Sequence, residues 1–253
     1  MAHAEYEQQP KIAYSIQSFP SAQIYGASMT SFPLSSPMAF HYSSEAERKG
    51  YTAPSSVGYS IFTPSHTEYH FQPSEFLKPG KEGKFIGQAE EIKEYVVDAF
   101  EKIFHTAFPQ NIFINVCNEK EFRKIAPHPG TIGLSINRGK DGLISEIFVL
   151  NDTLARVLLT LGHELGHVLT QTLDNPHDEE AKAYAFSLVW MKAIKEHDIA
   201  GLSDAIVTER PAENGLHNVA FGFVERLLQT GKEVGEIYVE LIRKVISIIT
   251  YSN

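Results

Sequence analysis

The chain has 253 residues, of which 43% are hydrophobic and 21% are charged, and this composition is typical of a globular protein. Its formal net charge of −9 argues against nucleic acid as a general partner, because phosphate binding requires clustered Lys and Arg. No stretch approaches the roughly 18 apolar residues of a membrane span, and residues 1–10 lack the features of a signal peptide. Cys117 is the only cysteine and follows an apolar run, so we expect a buried thiol and a reducing, cytoplasmic location.

The first third of the chain differs from the rest in composition. Residues 1–80 contain eight of the 13 prolines, only two leucines and many Tyr and Phe residues, and no helical or strand period persists in them. Such a pattern is typical of a flexible arm, but the many aromatic residues also favour an arm that lies across the folded part. We expect an irregular arm at 1–83, which is a candidate pro-segment, and a folded domain at 84–253.

After residue 83 the hydrophobic pattern becomes regular. The periods predict a helix at 88–108, a strand at 111–117, a short helix at 119–125, and two strands at 131–137 and 144–150 joined by a hairpin turn. A helix at 153–173, capped by Asn151 or Asp152, and a second helix at 177–196 follow. Two amphipathic C-terminal helices at 214–229 and 233–251 lie within a segment, 212–253, that closes the chain. The predicted fold class is therefore α+β, with a small mixed sheet.

The helix predicted at 153–173 contains the sequence His163-Glu164-Leu165-Gly166-His167, an HExxH motif. Two imidazoles at i and i+4 lie on one helix face and can bind one metal ion, and zinc favours such nitrogen and oxygen ligands. Glu164 can take a proton from a metal-bound water and pass it to the leaving amine. Gly166 suggests that another segment packs closely there. The alternative is a solvated polar stripe that contains two histidines by chance.

A third ligand is needed, and the sequence leaves three candidates. The metzincin pattern is absent, since residues 168–173 read Val-Leu-Thr-Gln-Thr-Leu. A carboxylate from the next helix remains: Asp178, Glu179 or Glu180. On a helical wheel Asp178 shares the predicted solvent side with Lys182, whereas Glu180 shares a face with small and apolar residues. Any of the three acids could instead be a favourable first-turn charge. We favour Glu180, with Glu179 second.

The order of these elements resembles the gluzincin metallopeptidases, and most of all their minimal forms, the minigluzincins and the ImmA/IrrE-like peptidases. The matching parts are the HExxH motif, the strand at 146–150, which is similar to the family's edge strand, and the run at 180–187, which is similar to its glutamate helix. The resemblance covers roughly residues 88–196. It implies a zincin-like fold in which an active-site helix and a glutamate-ligand helix back the sheet, with a Zn²⁺ cofactor. It also implies peptide or protein substrates bound in extended form along an edge strand. The family often places Asp or Asn four residues after the ligand, where this chain has Tyr184.

Further candidate residues lie outside the motif. His217 and Tyr184 are candidates for stabilising an oxyanion during peptide hydrolysis, although each is more readily explained as a structural residue. His66, Glu68 and His70 belong to the N-terminal arm, which could enter the cleft and hold the enzyme in a latent, zymogen-like state.

Two alternatives to a working peptidase stay open. One is a metal-binding regulatory protein with a zincin fold and little or no hydrolytic activity. The other is an interaction protein whose C-terminal helices pair with a partner or a second copy. The apolar stripe of the last helix permits such a homo-oligomer; it consists of Val234, Ile237, Tyr238, Leu241, Ile242, Val245, Ile246 and Ile249.

Overall fold

A three-stranded sheet, one long helix packed against it and a second long helix packed on the first form the centre of the fold. The structure is a computed structural model that describes residues 71–208 and 219–251, all of which belong to one unit. In this part of the chain the elements are β1 (Phe85–Ile86), α1 (Lys93–Phe104), β2 (Ile112–Cys117), α2 (Glu119–Ile125), β3 (Gly133–Ile136), β4 (Ser145–Leu150), β5 (Asp152–Thr153), α3 (Leu154–Val168), α4 (Pro176–Glu196), α5 (Val219–Gln229), α6 (Val234–Ile242) and α7 (Ile248–Tyr251). The predicted α+β class is confirmed.

The larger sheet is mixed, with strand order β2-β4-β3. β4 pairs parallel with β2 and antiparallel with β3. Its side chains alternate between the two faces, as a strand requires. Phe148 and Leu150 pack against a small cluster around Phe122 of α2, whereas Ile147 and Val149 are buried on the opposite face. The smaller sheet pairs β1 with β5 and so joins the segment before α1 to the start of α3.

The strand that resembles a family edge strand is not at the edge of this sheet. β4, at 145–150, is the central strand, and the edges are β2 and β3. The reason is the parallel pairing between β2 and β4, which joins residues distant in sequence and leaves no local signal. The expected hairpin is correct, because β3 and β4 are antiparallel neighbours connected by a short 3-10 turn at Gly139–Asp141.

α3 and α4 approach each other unusually closely. A Cβ atom at Gly166 would lie 2.7 Å from the Cα of Ala183, and one at Gly162 would overlap the indole of Trp190. The same indole Nε1 donates a hydrogen bond to the Leu158 carbonyl at 3.0 Å. The missing side chains of the two glycines therefore allow the helix contact, as the sequence predicted for Gly166.

α3 ends at Val168, before the predicted end at 173. Asn137 Nδ2 donates to the carbonyl oxygens of His167 and Thr170, both at 2.7 Å. Lys182 Nζ donates to the carbonyl of Gln171 at 3.1 Å. The carbonyl groups at the end of a helix have no N–H partner within the helix, and here these side chains donate to them instead. The helix can therefore end there.

The N-terminal end of α3 also differs from the prediction. Thr153 occupies the N-cap position, where the sequence favoured Asn151 or Asp152. The Asp152 carboxylate instead accepts from the Thr153 N–H at 2.7 Å and from Arg156 Nε at 2.6 Å. These bonds hold it outside the first turn. By contrast, α4 starts close to the predicted position, with Pro176 in its first turn as expected. Its cap is the Asn175 side chain, which the sequence analysis did not identify.

The helix predicted at 233–251 is broken in the structure. α6 ends at Ile242 and α7 begins at Ile248, and between them Lys244 adopts a left-handed φ of 56°. Lys244 Nζ lies 2.6 Å from Asp174 Oδ2, and Asp178 Oδ1 accepts from the Ile248 N–H at 2.7 Å. These two contacts draw the chain back toward the start of α4. The predicted stripe divides accordingly: Ile237, Tyr238, Leu241 and Ile246 are buried, and Val245 and Ile249 are exposed.

Two further observations bear on the predicted organisation. Cys117 is a buried free thiol, as expected. Within residues 71–208 and 219–251, no helix has both the length and the apolar character needed to cross a membrane. The proposed boundary at 83/84 stays a prediction, although Phe71, Phe76 and Leu77 are already buried in the described structure.

The contact between α3 and α4 predicts the effect of adding one methyl group. Gly166→Ala should lower the free energy of unfolding by about 1–3 kcal/mol, because the new Cβ meets backbone that cannot rotate away. Chemical denaturation would measure the change. Gly222→Ala is the matched control, since α5 leaves open space there and the substitution should raise stability by about 0.5–1 kcal/mol. Equal stability of the two variants would contradict the close contact.

Candidate metal centre

His163 and His167 on α3 and Glu180 on α4 form a cluster that could hold a metal ion. One donor atom from each residue lies within 4.8 Å of the other two. Glu180 Oε2 is 3.5 Å from His163 Nε2, and Glu180 Oε1 is 3.8 Å from His167 Nε2. His163 and Glu180 are 3% and 2% exposed. The structure therefore brings together the three ligands that the sequence favoured.

Both imidazoles are held so that Nε2 faces the cluster. Ser187 Oγ donates to the Ala183 carbonyl at 2.8 Å, so it can accept from His163 Nδ1, which lies 3.3 Å away. Glu179 Oε1 lies 2.9 Å from His167 Nδ1 and accepts from it. A hydrogen bond from Nδ1 fixes the ring and leaves the Nε2 lone pair available to a metal.

The donor set fits a divalent cation such as zinc. Glu180 Oε2 is buried, and no hydrogen-bond donor contacts it among the described residues. A buried acceptor without a partner is costly, and a cation would satisfy it. Two imidazole nitrogens and one carboxylate oxygen are typical zinc ligands that leave a fourth position open.

The charge around His167 also favours a cation. Burial by itself would lower the pKa of His167. The hydrogen bond to Glu179 and the negative charges of Glu180, Glu179 and Glu164 outweigh that effect and raise the pKa to about 9. Three carboxylates therefore create a strongly negative potential at the cluster.

Glu164 lies between α3 and the edge strand β3. Its side chain is largely buried, and its carboxylate occupies the space where a Cβ atom of Gly133 would be. Such a Cβ would also lie 2.7 Å from Thr160 Cγ2. Gly133 therefore makes room for Glu164 at the start of β3. Sequence reasoning missed this residue, because nothing local to Gly133 indicates its contact with α3.

Aromatic side chains cover the other side of His163. The Phe71 ring stacks on the His163 imidazole, with 4.6 Å between centroids and 12° between planes. Tyr184 packs edge-on against the same imidazole at 5.0 Å. Burial, together with the charges of Glu180 and Glu75, raises the pKa of Tyr184 well above its usual range. An ordinary tyrosine hydroxyl is also protonated at neutral pH, so the shift does not bear on the predicted oxyanion role of Tyr184, which stays a prediction.

The remaining predicted site residues have different outcomes. His217, His66, Glu68 and His70 fall outside the described residues, so their assignments stay predictions. Asp178 bonds the Ile248 N–H and is not part of the metal-ligand cluster. Glu179 contacts His167 Nδ1 and so supports a ligand.

Lys182 corrects the helical-wheel interpretation. The wheel placed it on the solvent side of α4, but it is 0% exposed and lies 2.9 Å from Glu179 Oε2. A buried lysine requires such a charged partner. The i, i+3 spacing of the two residues was the available signal.

No protein-family model, curated protein or solved structure matches this chain. The likeness to gluzincins therefore rests on the motifs in the sequence, and the metal ligands rest on the geometry of α3 and α4.

The cluster predicts metal binding that depends on single side chains. His163→Ala should reduce bound zinc from about one equivalent to near zero, because two ligands cannot hold zinc firmly in a site built for three. Elemental analysis after dialysis against zinc would measure the content. His197→Ala, which changes an exposed histidine just after α4, is the matched control. Unchanged zinc in His163→Ala would show that the metal binds elsewhere.

Proposed function

We propose that this protein is a zinc-dependent metallopeptidase of the gluzincin type, with a zincin-like fold around α3 and α4. The observation that carries the proposal is the convergence of His163, His167 and the otherwise unpartnered Glu180, with Glu164 beside them. A metal centre next to a carboxylate and a free strand edge is an arrangement suited to peptide-bond hydrolysis.

The roles of the residues follow from their positions. His163, His167 and Glu180 would hold zinc, which when bound lowers the pKa of a water ligand toward about 7. Glu164 would accept a proton from that water and deliver it to the amine nitrogen of the departing product. Because Glu164 lies against Gly133, its carboxylate faces the strand along which a peptide could run.

The edge strand β3 is the element best placed to bind substrate. It pairs with β4 on one side, and no strand among the described residues pairs with its other side. An extended peptide could add to this edge through main-chain hydrogen bonds, which recognise no particular sequence. The proposed substrate-binding strand is thus 133–136, and the strand at 146–150, which resembles the family's edge strand, is its inner neighbour in the sheet.

The alternative proposal is a protein that binds a metal ion at this cluster but does not hydrolyse peptides. In a regulatory protein with this fold, the cluster would stabilise the structure or sense a metal, and Glu164 would carry no proton. The two proposals differ in what happens when only the ability of Glu164 to accept a proton is removed.

Glu164→Gln supplies that test. We expect turnover of a quenched-fluorescent peptide library to fall by about 10²–10⁴-fold, which is the usual contribution of a general base. Zinc content should stay at the wild-type value, because Glu164 is not among the three ligands. A wild-type protein that binds zinc and cleaves no peptide or unfolded protein would favour the regulatory alternative.

The second part of the proposal is latency imposed by the N-terminal arm. Phe71 stacks directly on His163, so residues 1–70 join the described structure beside the metal centre. The segment after Phe71 is fixed: the Val207 N–H donates to the Phe76 carbonyl at 2.9 Å, and the Lys78 N–H to the Ala205 carbonyl at 2.8 Å. The arm is therefore tethered where it can compete with substrate.

Cleavage before Phe71 tests latency without removing the core residues Phe76 and Leu77. A protease site placed before Phe71 would release residues 1–70, and we expect peptide turnover to rise. An increase of about tenfold corresponds to a centre that is open in about one tenth of the intact molecules. The same cleavage in Glu164→Gln is the control for contaminating protease. No gain in turnover would contradict latency and leave the proposed peptidase activity standing.

A further inference from the structure

Two opposite charges are buried side by side next to the metal-ligand cluster. Lys182 is 0% exposed and Glu179 is 2% exposed. Lys182 Nζ lies 2.9 Å from Glu179 Oε2. Lys182 is the only lysine or arginine that is buried among the described residues, so its position requires an explanation beyond ordinary surface ion pairing.

The pair is connected to a metal ligand and to the loop between α3 and α4. Glu179 Oε1 accepts from His167 Nδ1 at 2.9 Å, and Glu179 Oε2 accepts from the Leu173 N–H at 2.7 Å. Lys182 Nζ also donates to the Gln171 carbonyl at 3.1 Å. The Glu179 carboxylate is thus held by three donors, and one of them is the ring that presents Nε2 to the cluster.

We propose that Lys182 is a positioning residue: through Glu179 it fixes the ring of His167 in the orientation that binds metal. The inference rests on the proposed zinc site. The polar contacts of Lys182 are with Glu179 Oε2 and the Gln171 carbonyl and not with a proposed metal ligand, so the contact that links it to His167 is the carboxylate of Glu179.

Stability alone does not account for the pair. Replacing a buried ion pair by apolar side chains of similar size is often neutral or stabilising, because desolvation cancels the attraction between the charges. Breaking such a pair by removing one partner is costly. A chain under no functional constraint would therefore tolerate two apolar residues at 179 and 182.

The negative charge of the buried carboxylates is a second reason for a cationic side chain at position 182. Glu164, Glu179 and Glu180 are all buried in the same region, and like charges in a low-dielectric interior repel each other. The ammonium group of Lys182 compensates Glu179, the carboxylate that it contacts at 2.9 Å. Glu179 can therefore accept from His167 without leaving the centre with an uncompensated charge.

Three variants test the proposal against a purely structural role. Lys182→Met removes the charge and keeps the length of the side chain. Glu179→Met/Lys182→Met replaces the pair by two apolar side chains. Lys192→Met is the matched control, since Lys192 is an exposed lysine on the same helix. For each, zinc affinity is measured by competition with a chromophoric chelator, and unfolding of the metal-free protein is measured by denaturant.

We expect Lys182→Met to bind zinc about 10–100-fold more weakly, the usual effect of losing the support of a metal ligand, and to unfold at lower denaturant concentration. The double variant should unfold at a midpoint closer to the wild type than Lys182→Met does, because no buried charge is left without its partner. It should still bind zinc about 10–100-fold more weakly, since His167 has lost its acceptor. Lys192→Met should match the wild type in both measurements.

Wild-type zinc affinity in the double variant would overturn the inference, because the pair would then serve only the fold. Wild-type affinity in Lys182→Met would also overturn it, by showing that Glu179 needs no cation. If Lys182→Met fails to fold, Lys182→Gln, which keeps a hydrogen-bond donor without the charge, takes its place in the same two measurements. A wild-type protein that binds no zinc would instead refute the proposed function, so the two failures are distinguishable.

Discussion

The contact between α3 and α4 at Gly166 and Ala183 is the constraint on which the metal-ligand cluster depends. The two backbones meet there because Gly166 has no side chain. His163 and His167 flank the glycine on α3, and Glu180 lies one turn before the contact on α4. One close approach between helices therefore sets the distance from both imidazoles to the third ligand.

The cluster also brings several buried negative charges together, and neighbouring residues compensate part of this charge. Burying several carboxylates in an interior costs several kcal/mol for each charge unless donors or cations compensate it. Glu179 has three donors, whereas Glu180 Oε2 has none among the described residues. The carboxylate without a hydrogen-bond donor is the one that faces the two imidazoles, which is the distribution expected around a cation.

Much of this could be predicted from sequence, because the relevant patterns are local. The 3.6-residue period located α3 and α4, the i, i+4 spacing identified the two histidines, and the apolar neighbours of Glu180 separated it from Asp178. The same wheel misplaced Lys182. α4 packs against α1, α3, α5 and α6, so it has little solvent face for a wheel to find, and a buried polar residue resembles an exposed one until its partner is known.

The remaining features are contacts between segments distant in the chain. Gly133 leaves space for Glu164, and Phe71 covers one face of His163. β2 pairs with β4, which makes β4 the central strand and leaves β3 at the edge of the sheet. Together they determine access to the centre. Since Phe71 covers one face of His163 and α4 carries Glu180, the approach left for the proposed peptide substrate is along β3. There Gly133 presents no side chain and the main-chain groups of the strand edge have no strand partner in the described structure, so access follows from tertiary packing rather than from the motif.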